Sequence, residues 1–124
     1  MPSEYLWVYG TLRRGCANPH ARLLRRASRH VEQARVQARL YRIKWYPGIR
    51  LGGDQWVTGD LFQLLDQAVL AELDRYEGSN EYQRVRAIAE LASGERVKCW
   101  VYEYLGGVSE SRRIASGDWL VEEG

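Results

Sequence analysis

The sequence predicts an α+β domain, a mixed β-sheet curled toward a barrel with two flanking helices. Three observations lead there. Five stretches read as strands from apolar alternation and composition. Two stretches between them read as helices, one with a start signal and one with a long apolar stripe. The resulting order, β-α-β-β-α-β-β, runs through 124 residues with no linker, repeat or low-complexity segment, so residues 1–124 form a single domain with enough chain for a core.

The first strand opens at Tyr5. Tyr5, Trp7, Tyr9 and Thr11 point one way, and Leu6, Val8 and Leu12 the other. Gly10 interrupts this pattern and Gly15 ends it. A glycine inside a strand marks either a bulge or a place where something approaches the backbone closely. Asn18 is a helix N-cap and Pro19 a first helical residue, and the helix runs to Ala27 with Leu23 and Leu24 inward and Arg22, Arg25 and Arg26 outward. Residues 31–43 alternate as a strand, with Val36, Ala38 and Leu40 opposed to Gln37, Arg39 and Tyr41. Trp45–Gly48 and Gly52–Asp54 are turns by composition. Trp56–Leu64 is the third strand, interrupted by Gly59.

Leu65–Glu77 is the second helix. Asp66 caps it, Val69, Leu70, Leu73 and Tyr76 form its apolar stripe, and Gly78 stops it. Tyr82–Leu91 and Glu95–Leu105 are strands joined by the short Ala92–Gly94 connection. In the last of these, Trp100, Tyr102 and Tyr104 share one face and Val97, Cys99 and Val101 the other, so the strand is covered on both sides. Trp119 in the tail packs back on the domain.

Composition removes several functional classes. No apolar run is long enough to span a membrane, and Met1–Tyr5 lacks a basic region followed by an apolar segment, so a cytoplasmic location is expected. Cys16 and Cys99 have no metal or redox spacing, and with only two histidines no metal site is expected. Cys99 reads as a small buried hydrophobe. The net charge is +2, but residues 1–50 carry eleven basic and two acidic side chains while residues 51–124 carry seven and fourteen. This asymmetry admits a nucleic-acid surface using Trp45 and Tyr46. The favoured reading is that the halves interleave and neutralise across strands, with no nucleic-acid partner.

There is no Gly-x-Ser-x-Gly elbow, phosphate loop, dinucleotide loop or metal cluster. One acid stands out. On a helical wheel Glu77 falls within about 40° of Leu73, on the apolar stripe, whereas Glu72 and Asp74 fall at its edges. It also sits in the last helical turn, where the dipole disfavours negative charge. Burial and dipole together would favour its protonated form, as suits a group that moves protons. If the helix frays near Tyr76, Glu77 instead turns to solvent.

Tyr9-Gly10-Thr11-Leu12, Val57-x-Gly59-Asp60-Leu61-Phe62, Leu73-Asp74-x-Tyr76-Glu77-Gly78 and Tyr82-x-Arg84 occur in this order. Together they resemble the motifs of the γ-glutamylcyclotransferase superfamily, in particular its small γ-glutamylamine cyclotransferase-like and avirulence-induced-gene-like members. The resemblance runs from Tyr5 to Trp119. It implies an enzyme that cyclises a γ-glutamyl amine or γ-glutamyl peptide to 5-oxoproline with release of the amine. It implies Glu77 as general acid and base, and the Tyr9–Leu12 loop as the holder of the glutamyl end through backbone groups. The substrate supplies its own nucleophile, so no protein nucleophile, metal or cofactor is needed.

The remaining assignments follow from this. Gly10 lets the ligand reach the main chain, and amides around Thr11 and Leu12 bind a carboxylate or the developing oxyanion. Tyr9 and Tyr102 are pocket walls, hydroxyl donors or core residues. Arg84 neutralises a substrate carboxylate or pairs with a surface acid. Arg13 and Arg14 either steer an anionic substrate at the mouth or are solvated loop arginines, the favoured reading. The expected partner is a small γ-glutamyl substrate, with no membrane and with a monomer or weak homodimer as the assembly. The alternative function is a binding module that holds a γ-glutamyl or other acidic metabolite without turning it over.

Overall fold

In the computed structural model five strands close into a barrel in the order β1-β3-β2-β4-β5. Residues 4–10, 12–13, 18–78 and 81–123 are described, with the backbone alone at 77, 78, 122 and 123. The strands are β1 (Tyr5–Val8), β2 (Ser28–Arg42), β3 (Pro47–Leu64), β4 (Tyr82–Leu91) and β5 (Arg96–Tyr104). β1 pairs antiparallel with β3 and parallel with β5 through Leu6 and Trp100, which makes the sheet mixed. The helices are α1 (Pro19–Ala27), α2 (Val69–Gly78) and a short α3 (Trp119–Glu123), with a 3-10 turn at Glu110–Arg112.

Period-two alternation divides the core into two layers. Trp7 and Tyr9 join Val36, Ala38, Leu40, Val57, Cys99 and Val101 in the barrel interior. Leu6, Val8 and Leu12 face outward and join Phe62, Tyr102, Leu24 of α1, and Val69, Leu70 and Leu73 of α2. The double coverage expected of the last strand is realised, with Cys99 and Val101 inside and Tyr102 beneath the helices. Gly59 explains how β1 and β3 lie so close. A Cβ there would overlap the Val8 carbonyl oxygen and the Trp7 indole, so the residue that seems to interrupt the strand is what lets it pair.

The sequence reading placed most elements correctly and missed four details. The helix expected from Leu65 begins at Val69. The chain leaving β3 first hugs the end of α1, with the Leu65 and Asp66 amides both donating to the Ala27 carbonyl. Asp66 then accepts from the Ala68 amide at 2.9 Å, a cap set three residues before the helix. The Gly52–Asp54 turn lies inside β3: Leu51 pairs with Ala38 and Trp56 with Gln37, so residues 52–55 bow out of the ladder. Tyr41, read as an outward residue, is buried because the C-terminal tail covers that face. Its hydroxyl lies 3.3 Å from Glu110 Oε1, and its backbone bridges to Arg113. The tail itself adds α3, whose Trp119 is buried in the barrel cluster with the Arg42 guanidinium 4.8 Å over its ring.

The charge asymmetry resolves by interleaving. Basic residues of the first half pair with acids of the second: Arg13 with Asp60 and Asp118, and Arg35 with Glu90. The hydrogen bond from Arg35 holds the Glu90 carboxyl below its ordinary range.

Cys99 is fully buried, and burial pushes its thiol up to about 12. Almost no thiolate exists at pH 8, and the thiolate is the reactive form. Native protein treated with iodoacetamide at pH 8 should therefore leave Cys99 unlabelled by peptide mapping, with labelling appearing once denaturant opens the barrel. Rapid native labelling would contradict this packing.

Candidate active site

A pocket forms where β1 leaves the sheet. The turn between β2 and β3, the end of α2 and the start of β4 converge there. It is lined by Trp7, Val8, Tyr9, Gly10, Leu12, Trp45, Tyr46, Pro47, Tyr76, Tyr82 and Tyr102, and holds about 430 Å³ including the part open to solvent.

The turn that ends β1 is held from three directions. The Arg13 amide donates to the Gly10 carbonyl at 3.1 Å and closes it. Leu12 is buried beneath the helices. Gly10 packs against Pro47, and an added Cβ would lie 2.7 Å from Pro47 Cγ. The glycine is therefore required by the close approach of the β2–β3 turn. Thr11 lies outside the described residues, as do Arg14 and Cys16.

Arg13 is the main surprise. Sequence reasoning left it in solvent, yet it is 3 % exposed. Its Nε donates to Asp60 Oδ2 at 3.1 Å and its Nη1 to Asp118 Oδ1 at 2.6 Å, while His30 Nε2 lies 3.2 Å from Asp60 Oδ1. Asp60 comes from β3 and Asp118 from the residue before α3, so the network fastens the turn to the barrel and to the tail. Asp60 carried the only available signal, a carboxylate on a strand flanked by Gly59, Leu61 and Phe62. A buried acid of that kind needs a cation.

Tyr9 and Tyr102 both line the pocket, and their hydroxyl protons are directed into the protein. Tyr9 donates to the Tyr102 carbonyl at 2.7 Å, and Tyr102 to Asp74 Oδ1 at 2.8 Å. Both rings are walls. Arg84 is not among the lining residues. It forks onto Asp74, Nε to Oδ1 at 2.8 Å and Nη2 to Oδ2 at 3.1 Å, and its guanidinium lies 4.3 Å over the Trp100 ring. Pairing with an acid is one of the two readings left open for it, and that pair is present.

The stripe of α2 is buried as the wheel requires, through Val69, Leu70 and Leu73. Tyr76 continues it into the pocket wall and stacks on His20 of α1, centroids 3.8 Å apart. Glu77 follows Tyr76 in the last turn of α2; its side chain lies outside the described residues. Among the described residues no cluster of His, Cys, Asp and Glu could hold a metal ion, and no helix is long and apolar enough to cross a membrane.

Solved structures share this architecture. YkqA from Bacillus subtilis superposes with a TM-score of 0.78 at 25 % identity; the match covers 98 % of this chain but 41 % of YkqA, so the chain spans less than half of that protein. An AIG2-like protein from Mus musculus gives a TM-score of 0.75 at 20 % identity, covering 96 % of this chain and 89 % of that one, a likeness of fold. The uropathogenic Escherichia coli protein c4763 gives 0.71 at 25 % identity, with 100 % and 98 % covered. No curated protein sequence matches the chain. The family model for gamma-glutamyl cyclotransferase, AIG2-like proteins matches residues 6–121, and the chain belongs to that family.

Proposed function

We infer that the protein is a γ-glutamyl cyclotransferase that converts a γ-glutamyl amine or γ-glutamyl peptide to 5-oxoproline and the free amine. The observation that carries this reading is the meeting of two motifs at one pocket. Tyr9, Gly10 and Leu12 form one wall, and the end of α2, with Tyr76 in the lining and Glu77 next in the chain, forms another. Membership of the family supports it.

The α-amine nitrogen of the γ-glutamyl unit attacks its own γ-carbonyl carbon, forming the lactam C–N bond. The bond from that carbon to the leaving nitrogen breaks. Glu77 accepts the proton lost by the attacking nitrogen and returns it to the leaving nitrogen, so no water is consumed and no net proton is released. The pocket's contribution is to hold the chain folded for ring closure. Well-oriented intramolecular attack can remove about 7–11 kcal/mol of barrier. The turn is suited to holding the glutamyl end because Arg13, Pro47 and Leu12 fix its backbone before any ligand arrives.

Incubation with a panel of γ-glutamyl amines and γ-glutamyl dipeptides should yield 5-oxoproline with equimolar amine, read by mass spectrometry. A panel that binds without turnover would favour a non-catalytic binding module instead.

A further inference from the structure

We propose that Asp74 is a positioning residue: its carboxylate clamps α2 to β4 and β5, and so fixes the last helical turn, which carries Glu77, relative to the turn that ends β1. This rests on the cyclotransferase reading and adds to it a residue that acts through Glu77.

Asp74 lies three residues before Glu77 on α2, so the two positions are neighbours about one turn apart. Its carboxylate gathers two strands. Arg84 of β4 brings Nε to 2.8 Å from Oδ1 and Nη2 to 3.1 Å from Oδ2, and the Tyr102 hydroxyl of β5 donates to Oδ1 at 2.8 Å. Arg84 and Tyr102 stand opposite each other in the β4–β5 ladder, so the clamp grips a cross-strand pair and not a loop. The Trp100 ring, 4.3 Å from the Arg84 guanidinium, steadies that side chain. The connection continues beyond the helix. The Tyr102 carbonyl accepts the Tyr9 hydroxyl at 2.7 Å. One path of hydrogen bonds therefore runs from Tyr9, beside Gly10, through Tyr102 to Asp74.

Stability alone does not account for an aspartate here. Aspartate is a weak helix former, and Asp74 sits inside α2, where it caps nothing. Its side chain is 39 % exposed, and an ion pair that open to water stabilises a fold little. The first turns of α2 are already fastened by Val69, Leu70 and Leu73, which are buried. Beyond Leu73 the apolar stripe has only Tyr76, half-buried and stacked on His20. Helix ends are where local opening begins. The clamp acts at that weakly packed end. Opening of the last turn would carry Glu77 away from the substrate, and a misplacement of about 1 Å can cost ~10²-fold in rate.

Two mild variants test the clamp. Tyr102→Phe removes one hydroxyl, keeps the ring in the pocket wall and leaves the sequence of α2 intact. Asp74→Asn keeps the size of the side chain and removes the charge that Arg84 grips. Each should lower kcat for the best-turned-over compound of the γ-glutamyl panel by about ten-fold or more, with KM and the melting temperature little changed. In a Glu77→Gln background neither should lower kcat further, because a residue that acts through Glu77 has nothing left to position. Hydrogen exchange of the native protein, read by mass spectrometry, should quicken at the amides of residues 76–78 and stay unchanged at 69–73. An unaltered kcat, an equal loss in both backgrounds or unaltered exchange overturns the inference and leaves the cyclotransferase reading standing. If Asp74→Asn fails to fold, Tyr102→Phe carries the same test alone. If the wild-type protein yields no 5-oxoproline from the panel, the cyclotransferase reading fails, and exchange decides the clamp separately: quickened exchange at 76–78 supports it, and unaltered exchange overturns it.

Discussion

Glu77→Gln is expected to abolish nearly all release of 5-oxoproline while leaving the protein folded. A single group that moves protons typically contributes ~10²–10⁴-fold, and glutamine keeps the shape of glutamate without its ability to accept a proton. The substitution is mild for the helix. Glutamine and glutamate have similar helix propensities, and removing a negative charge from the last turn of α2 relieves an unfavourable dipole interaction. The loss should therefore fall on kcat with KM little changed, the pattern of a group needed in the transition state more than in binding. Residual turnover above the uncatalysed rate should remain, because the pocket still folds the substrate for ring closure. A variant that turns over at the wild-type rate removes Glu77 from the mechanism.

The largest expected effect on stability comes from Arg13→Ala. The guanidinium and the Asp60 carboxylate are both buried, and Asp118 and His30 complete the cluster. Truncating one partner leaves the Asp60 charge without its guanidinium, a change that typically costs about 3–5 kcal/mol. Urea denaturation followed by tryptophan fluorescence should read this as a large drop in midpoint. Arg13→Met combined with Asp60→Asn removes both charges while retaining bulk, and it should recover much of the loss, since an apolar replacement for a buried pair is often tolerated. The cycle of single and double variants measures the coupling directly. If Arg13→Ala costs less than about 1 kcal/mol, the ion pair is not what anchors the turn. Because the Arg13 side chain ties the Gly10–Arg13 turn to Asp60 and Asp118, the destabilised variant should also lose affinity for any ligand held there.

These two residues were reached by different routes. Glu77 was singled out from local periodicity, because a charge on an apolar stripe is visible in one segment. Arg13 was misread because its partners are 47 and 105 residues away in the chain. No local pattern distinguishes an arginine that reaches across a barrel from one that faces water. Tyr41 failed for the same reason, its cover coming from the tail near Glu110. Arg84 shows a third case, where sequence offered two partners and the fold chose Asp74.

By itself the sequence determined the order of strands and helices and the two faces of β1 and β5. It also determined the position of α1 and the motifs that place the chain in its family. Each of these rests on interactions between near neighbours: alternation, the Asn18 cap, whose side chain accepts from the Ala21 amide at 2.9 Å, and the stripe of α2. Only the tertiary structure decided how the barrel closes, that Arg13 is buried, that Pro47 dictates the glycine at position 10, and that an aromatic panel faces the turn. Those features come from segments brought together by closure of the sheet. Long-range pairing of this kind is set by the packing of the whole domain, and no single stretch of the chain encodes it.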